Sequence, residues 1–338
     1  MKDLARAGAK RGSENVMKHS CLIMLSALGM GLAAMEANAE PWPTKPLKAI
    51  VPIAAGSVLD IVPRVVFEQL STQLGQSIVV ENRPGAGQTI GTSAVAKSDP
   101  DGYTLLVNSS AHAIAPALHA NLSYHPARDF AAVVPIGVSP FVLVVPPGRG
   151  FKTTRDLVAA AQAKPGTFNF SSPGVGGASH LSAERFRLSA GVQAMHVPFK
   201  GGTEAMTEVM AGRIDFFFVA LGAALPHIRD GRLTALAVNS AARSAALPEV
   251  PTLREAGFTD ADNPTWFGLF LPARTPREIV DKLHRETLKA LQEPKVRDKL
   301  AALGIDPMVM SPTQFGALVE TEIATNAALV KAIGLKPH

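Results

Sequence analysis

The sequence predicts an α/β protein of two lobes, each a mostly parallel sheet flanked by helices. Three observations predict it. Strand-like and helix-like segments alternate from residue 47 onward, which is the pattern of βαβ units. The alternation breaks near 141 and begins a second series there. A later apolar run, "TWFGLFLPA" at 265–273, is followed by three helical patterns without strands, and reads as the chain returning to the first lobe. The expected division is 40–141 plus 265–338 for lobe 1 and 142–264 for lobe 2. Together these hold about 300 residues, more than one hydrophobic core usually serves.

The elements follow in order. "LKAIVPIA" (47–54) reads as a buried strand. "DIVPRVVFEQLSTQLG" (60–75) reads as an amphipathic helix with apolar positions 61, 62, 65, 66, 70 and 74 on one face. Pro63 belongs in a first helical turn, where its missing N–H costs nothing, so Asp60 is the expected N-cap. "SIVVENRP" is a strand, "GQTIGTSAVAKS" a helix, and "TLLVNSS" a strand ending in serines. The apolar stretch 130–148 carries Pro135, Pro140 and Pro146, so it reads as two buried strands joined by a crossing segment rather than a membrane span. The second series runs helix "TRDLVAAAQA", strand "FNFSS", a glycine turn, helix "HLSAERFRLSAG", strand "AMHVPF", turn "KGG", helix "TEAMTEVMAG" and strand "IDFFFVA".

The first 39 residues read as a secretory leader. Lys2, Arg6, Lys10, Arg11 and Lys18 precede an apolar run from Leu22 to Met35, and Ala37-Asn38-Ala39 supplies a small-x-small site for cleavage before Glu40. The run is shorter than the ~18–20 residues that span a bilayer, which argues against an anchor. Met17 would start a more ordinary leader, so residues 1–16 are left open as an upstream extension. Cys21 lies inside the leader, so the mature chain has no cysteine and needs no disulfide or thiol chemistry. From Glu40 on, 28 Lys and Arg face 25 Asp and Glu. This mild excess, without a basic block, excludes a nucleic-acid partner and suits small anions.

Three loops share one arrangement: 54–59, 171–179 and 200–203. Each follows the carboxyl end of a parallel strand and precedes a helix. That is the edge where open α/β sheets bind ligands. Helix N-termini there present unpaired N–H groups and partial positive charge, and glycine lets a ligand reach the backbone. "SSPGVGGASHL" lacks the Gly-Lys-Ser/Thr of a phosphate loop. It has Ser179 where a dinucleotide loop needs a third glycine, and no Gly-x-Ser-x-Gly elbow exists. His180 and Glu184 are spaced i, i+4 and could ligate a metal, but a third ligand is missing and a helix contact fits better. A secreted hydrolase would need His180 with Ser179 or Ser172. Otherwise no acid–base pair stands out, and a strand-to-helix turn can be only a turn.

Taken together in this order, "WPTKPLKAIVP", "LGQSIVVENRPGAGQTIG", "DPDGYTLLV", "SSPGVGGASHL", "HVPFKGG", "ALPHIRDGRLTALAV", "LPEVPTLREAGF" and "EIVDKLHRETLKAL" resemble the Bug family, the substrate-binding receptors of tripartite tricarboxylate transporters. The resemblance covers nearly all of 40–338. It implies a periplasmic-binding-protein-like fold of type II, a Venus flytrap with hinge crossings near 138–142 and 263–268. It implies no catalysis, cofactor or metal. It also implies a monomer that passes a small carboxylate to a membrane permease, with a sensor subunit as the alternative.

Carried over, the first-lobe contacts fall at Ile53, Ala54, Ala55, Gly56 and Ser57, with Ser109 and Ser110. The second-lobe contacts fall at Ser172, Gly174, Gly176, Gly177, Ala178, Ser179 and His180, and at Lys200, Gly201 and Gly202. Two departures stand out. "IAAGSVLD" replaces the usual Pro-Pro-Gly-Gly turn. Val219 and Ala220 stand where many members carry an Asp-Asn pair, which argues against an amino-acid ligand and leaves room for a ring or an alkyl chain. Di- or tricarboxylates are expected first, aromatic acids next.

Overall fold

A computed structural model describes residues 42–337. The expected leader and its cleavage site lie outside the described residues. Two five-stranded sheets organise the chain. The first holds β1 (Leu47–Val51), β2 (Ile78–Asn82), β3 (Thr104–Ser109), β4 (Phe130–Ser139) and β10 (Thr265–Pro272), in the order β2-β1-β3-β10-β4. The second holds β5 (Phe141–Val145), β6 (Phe168–Ser172), β7 (Ala194–Pro198), β8 (Phe216–Ala220) and β9 (Thr234–Val238), in the order β7-β6-β8-β5-β9. Each sheet is parallel except for its fourth strand. β10 runs antiparallel to β3 and β4, and β5 runs antiparallel to β8 and β9. Both are strands that the chain enters directly after changing sheets, so the fold is the two-lobed α/β arrangement the sequence predicts.

The first change of sheet takes one residue, Pro140, between Ser139 of β4 and Phe141 of β5. The second runs from β9 to β10. Asn239 ties the two together. Its Oδ1 accepts from Phe141 N at 2.7 Å and its Nδ2 donates to Asn263 O at 2.7 Å, and its own N–H donates to Phe141 O at 2.9 Å. The residue is fully buried, so every polar atom on it has to find a partner.

The helices are α1 (Val58–Leu74), α2 (Thr89–Ala96), α3 (Ala111–Leu118), α4 (Thr154–Ala163), α5 (Ala178–Ser189), α6 (Gly202–Met210), α7 (Leu221–Arg229), α8 (Arg277–Gln292), α9 (Pro294–Ala302) and α10 (Pro312–Ala332). By strand position, β6-α5-β7-α6-β8-α7 repeats β1-α1-β2-α2-β3-α3. The expectations differ from this at four places. α1 starts at Val58 with Ser57 as N-cap, so Asp60 is the third helical residue and Pro63 the sixth. α3, α7 and β9 were not expected. α3 and α7, equivalent in the two lobes, also carry a proline at their sixth position, Pro116 and Pro226.

Alternation explains the second core. Leu143, Phe170, Phe216 and Phe218 face α5, while Val142, Val144, Phe217 and Val219 face α6 and α7. In the first lobe Trp266, Phe270 and Phe315 pack together, and a methyl group on Gly268 would stand 2.3 Å from the Phe315 ring. That position is restricted to glycine by contact rather than by its φ. Between the lobes, Ile114 and Ala117 of α3 pack with Leu181 of α5 and Leu329 and Val330 of α10. Arg185 of α5 also donates to Asn326 Oδ1 at 2.9 Å.

His112 lies fully buried in the first core, edge-on to Phe130 with ring centroids 4.9 Å apart. Its Nε2 donates to Pro126 O at 3.1 Å. Burial lowers its pKa to about 4, against a partial offset from that bond. The folded pKa lies below the unfolded value. The neutral ring's contribution is therefore complete above pH ~6.5 and is lost as pH falls toward 4, by about 3 kcal/mol for the shift. Chemical denaturation of wild type and His112→Gln across this range tests it. Wild type should lose more stability on acidification than the variant, and parallel losses would show that His112 does not carry the effect.

Candidate ligand-binding site

Three strand-to-helix loops lie at the carboxyl edges of the sheets: 52–57 before α1, 173–177 before α5 and 199–201 before α6. They share one internal bond. The residue before each N-cap gives its N–H to the side chain of the third helical residue. Gly56 N donates to Asp60 Oδ2 at 2.9 Å, Gly176 N to His180 Nδ1 at 3.0 Å, and Lys200 N to Glu204 Oε2 at 3.3 Å. Gly56 and Gly176 match in conformation as well, with φ of 84° and 78°. Ser57 and Gly177, the N-caps that follow, both have ψ of 162°. The left-handed φ is what calls for glycine.

None of these three helices has a side-chain cap, whereas α4 and α10 have full capping boxes from Thr153 and Ser311. The first N–H groups of α1, α5 and α6 therefore point outward without an intrahelical carbonyl. Ser57 makes no cap bond although it stands at the N-cap, and its Oγ is buried and unpartnered. An anion held by two or three such N–H groups is the ligand this arrangement suits.

The other carried-over residues divide by exposure. Ala54, Ala55, Gly56, Gly177 and Lys200 are exposed, while Ile53, Gly174, Ala178, Gly201, Gly202 and Ala220 are half-buried. Ile53 O accepts from Asn82 Nδ2 at 3.0 Å. The serines are buried and mostly committed elsewhere. Ser109 and Ser110 lie at the start of α3, where Ser110 N bonds Trp266 O and Ser109 Oγ faces Ala111 N at 3.4 Å. Ser179 Oγ donates to Phe218 O at 2.6 Å. Ser172 Oγ accepts from Gly174 N, donates to Gly174 O at 2.8 Å, and lies 2.7 Å from His196 Nε2. Val219 is packed in the core beneath α6 and α7, so the space expected there for a ring is filled by protein.

The second-lobe loops share an edge, since Ser172 pairs with Pro198 and Phe199 N bonds Ser172 O at 2.9 Å. Loop 52–57 stands on the other sheet, and among the described residues no hydrogen bond joins it to them. Lobe 2 meets lobe 1 beside Gly176, where a methyl group would lie 3.0 Å from Leu118. It does so again at Gly222, where one would lie 2.8 Å from Leu303 O.

Charge in the first loop is fixed. Burial pushes the Asp60 carboxyl up, but bonds from Arg64, Gly56 N and Asn82 outweigh it and leave it below the usual carboxylate range. In the second lobe His180 faces Glu184 at 3.7 Å, and Glu184 pairs with Arg187 at 2.7 Å. The His180–Glu184 spacing therefore belongs to a helix-internal polar network in which the ion pair is Glu184 with Arg187. Among the described residues no group of three or more His, Cys, Asp or Glu could hold a metal.

The bonds also disfavour a nucleophile. Ser172 satisfies all its partners when His196 Nε2–H donates to it and its own proton goes to Gly174 O. The imidazole is then a donor toward the hydroxyl, not a base. Asn82 and His196 were missed as loop supports. Each sits on an edge strand, and only the pairing of strands brings it under the neighbouring loop.

Comparison with known proteins agrees with this geometry. Residues 62–335 match the model of the tripartite tricarboxylate transporter family receptor. Protein BugT of Bordetella pertussis is 35% identical over 319 residues, covering 93% of this chain and 98% of that one. An R. palustris protein solved with adipate superposes with a TM-score of 0.73 at 31% identity, covering 88% of this chain and all of the other. MatC from Rhodopseudomonas palustris, solved with bound malate, gives 0.69 at 31% identity, covering 86% of this chain and all of MatC. Members of this family are periplasmic solute receptors rather than enzymes. The chain therefore belongs to the receptor family of the tripartite tricarboxylate transporters.

Proposed function

We propose that this receptor captures a small dicarboxylate or tricarboxylate between its lobes and delivers it, as a monomer, to the membrane permease of a tripartite tricarboxylate transporter. In this reading the leader is removed after Ala39 and the receptor works in the periplasm. The observation that carries the proposal is the set of helix N-termini at the carboxyl edges of both sheets, left without side-chain caps while the nearby serines are largely committed elsewhere. Each lobe then offers backbone N–H groups to one carboxylate, and a ligand with two carboxylates bridges them. Hydrogen bonds to a charged group contribute about 1.5–3 kcal/mol each. Lys200 is the single Lys or Arg in these loops, which suits a compact carboxylate better than a polyphosphate.

Adipate and malate, held by the two relatives, are both dicarboxylates. An aromatic acid ranks below them, because Val219 is core rather than lining. The moving bodies in this reading are 45–140 with 265–337, and 141–264. This differs by one residue from the boundary expected from sequence, since Phe141 pairs with Ala220 in the second sheet. Closure follows if the ligand binds the closed form better than the open one.

Calorimetry and small-angle scattering with adipate, malate and their dimethyl esters test the proposal. The acids should bind and compact the protein, and the esters should bind at least tenfold more weakly, about 1.4 kcal/mol, without compaction. Equal binding of acid and ester would contradict it.

The matched glycines give a second prediction. Gly56→Ala and Gly176→Ala each force a left-handed conformation on a residue with a side chain, at about 1–2 kcal/mol. Both should weaken adipate binding with the circular dichroism unchanged, Gly176→Ala more so because of Leu118. Unchanged affinity in both would remove these loops from the site.

A further inference from the structure

The three loop bonds differ in what accepts the N–H. In the first and third loops it is a carboxylate, Asp60 or Glu204. In the second it is an imidazole nitrogen, His180 Nδ1. That nitrogen accepts only while it carries no proton. The ring is buried and stacks on His196 with centroids 3.9 Å apart and planes 21° apart. His196 in turn holds Ser172 Oγ, which grips Gly174 through both its N–H and its carbonyl. The histidine pair thus fixes the loop at three points: Ser172, Gly174 and Gly176.

We propose that His180 and His196 are positioning residues that latch the second-lobe loop in its anion-gripping form, and that acidification releases this latch while the first-lobe loop stays fixed. The proposal rests on the reading that this loop grips the ligand. A proton on His180 Nδ1 would take up the lone pair that accepts from Gly176 N, set an N–H against that N–H and replace the bond by repulsion. His196 keeps its Nε2–H toward Ser172, but two rings at this distance cannot both hold a positive charge.

The charged and titratable groups that face the pair are Glu184 and Arg187 on α5. β6 contributes Ser172 and the Phe170 ring, and α3 contributes Leu118 beside Gly176. Burial, then the neighbouring His180, keep His196 neutral, with its pKa lowered to about 4.

Two further features favour a latch over a simple core contact. The equivalent position in lobe 1, Asp60, is held by Arg64 and Asn82, neither of which changes charge near neutral pH. The loop above the histidines is also the one that touches the opposite lobe, at Leu118. Its release would loosen the grip and the lobe contact together.

The test reads amide exchange by NMR on the ligand-free full chain at about pH 7.5 and about pH 5, corrected for intrinsic exchange. In wild type the Gly176 amide should lose at least tenfold protection on acidification, while the Gly56 amide keeps its own. His180→Asn supplies a carbonyl acceptor that does not titrate, and should keep Gly176 protected at both pH values. His180→Phe should leave it unprotected at both. His196→Gln, which keeps a donor toward Ser172, should preserve Gly174 protection, and His196→Phe should lose it.

With adipate as probe, affinity should fall on acidification at least tenfold more in wild type than in His180→Asn. Gly176 protection that is the same at both pH values in wild type and survives in His180→Phe would overturn the proposal. So would equal acid sensitivity of adipate binding in wild type and His180→Asn. The amide readout needs no ligand. A failure of the carboxylate reading would appear as absent adipate binding with the exchange pattern intact, and a failure of the latch as the reverse.

Discussion

The site depends on one hydrogen bond, from the N–H before a helix N-cap to the side chain of the third helical residue, made at all three loops without a side-chain cap beside it; α4 makes the same bond, Lys152 N to Asp156, but adds the Thr153 cap. Gly56 with Asp60, Gly176 with His180 and Lys200 with Glu204 all make it. The bond turns the loop so that the following N–H groups, rather than that one, face outward. It also consumes a side chain that could otherwise compete for the ligand. The site is then built from backbone, with electrostatics set by helix ends rather than by lysines and arginines. Such a site accepts a carboxylate without an excess of fixed positive charge, consistent with a loop set that holds one lysine.

The same economy governs the connection between lobes. Pro140 is the whole of the first crossing, and Pro140 O accepts from Leu221 N, the first N–H of α7. The helix end that might have made a further anion site is therefore used to fix the hinge. Asn239 holds both crossings from a fully buried position. The apolar contact of α3, α5 and α10 and the Arg185–Asn326 bond join the lobes as well. Leu118 beside Gly176 and Leu303 beside Gly222 mark two places where the lobes touch.

Much of this was legible in the sequence because strands and helices of an α/β lobe have different apolar periods. β6, α4, β10 and the crossing after β4 stand where periodicity places them. The misses have physical causes. Pro63, Pro116 and Pro226 sit at the sixth position of α1, α3 and α7, and proline so far inside a helix reads as a boundary. The "LGAALPHIR" of α7 follows its strand with no residue between, and a single residue, Ser110, separates the "AHAIAPAL" of α3 from its strand, so no glycine or proline turn marks either start. The glycine loops were visible in composition, but the committed serines were not. That Ser172 points at His196 depends on the β6–β7 register, in which Phe170 lies opposite His196. A single sequence does not display the register between two edge partners. For the same reason Val219 looked like lining, although strand alternation turns it into the core.

The central claim is that backbone N–H groups at helix starts from both lobes hold the ligand. The direct measurement is an amide-resolved NMR titration of the full chain with adipate. The account predicts that the largest shifts fall on Val58 and Leu59 of α1 and on Ala178 and Ser179 of α5, and that they saturate together with one affinity. Shifts confined to one lobe would contradict it. So would shifts centred on the cavity of about 690 Å³ beside α8 and α9, lined by Leu288, Leu291, Leu300, Ile305 and Met308.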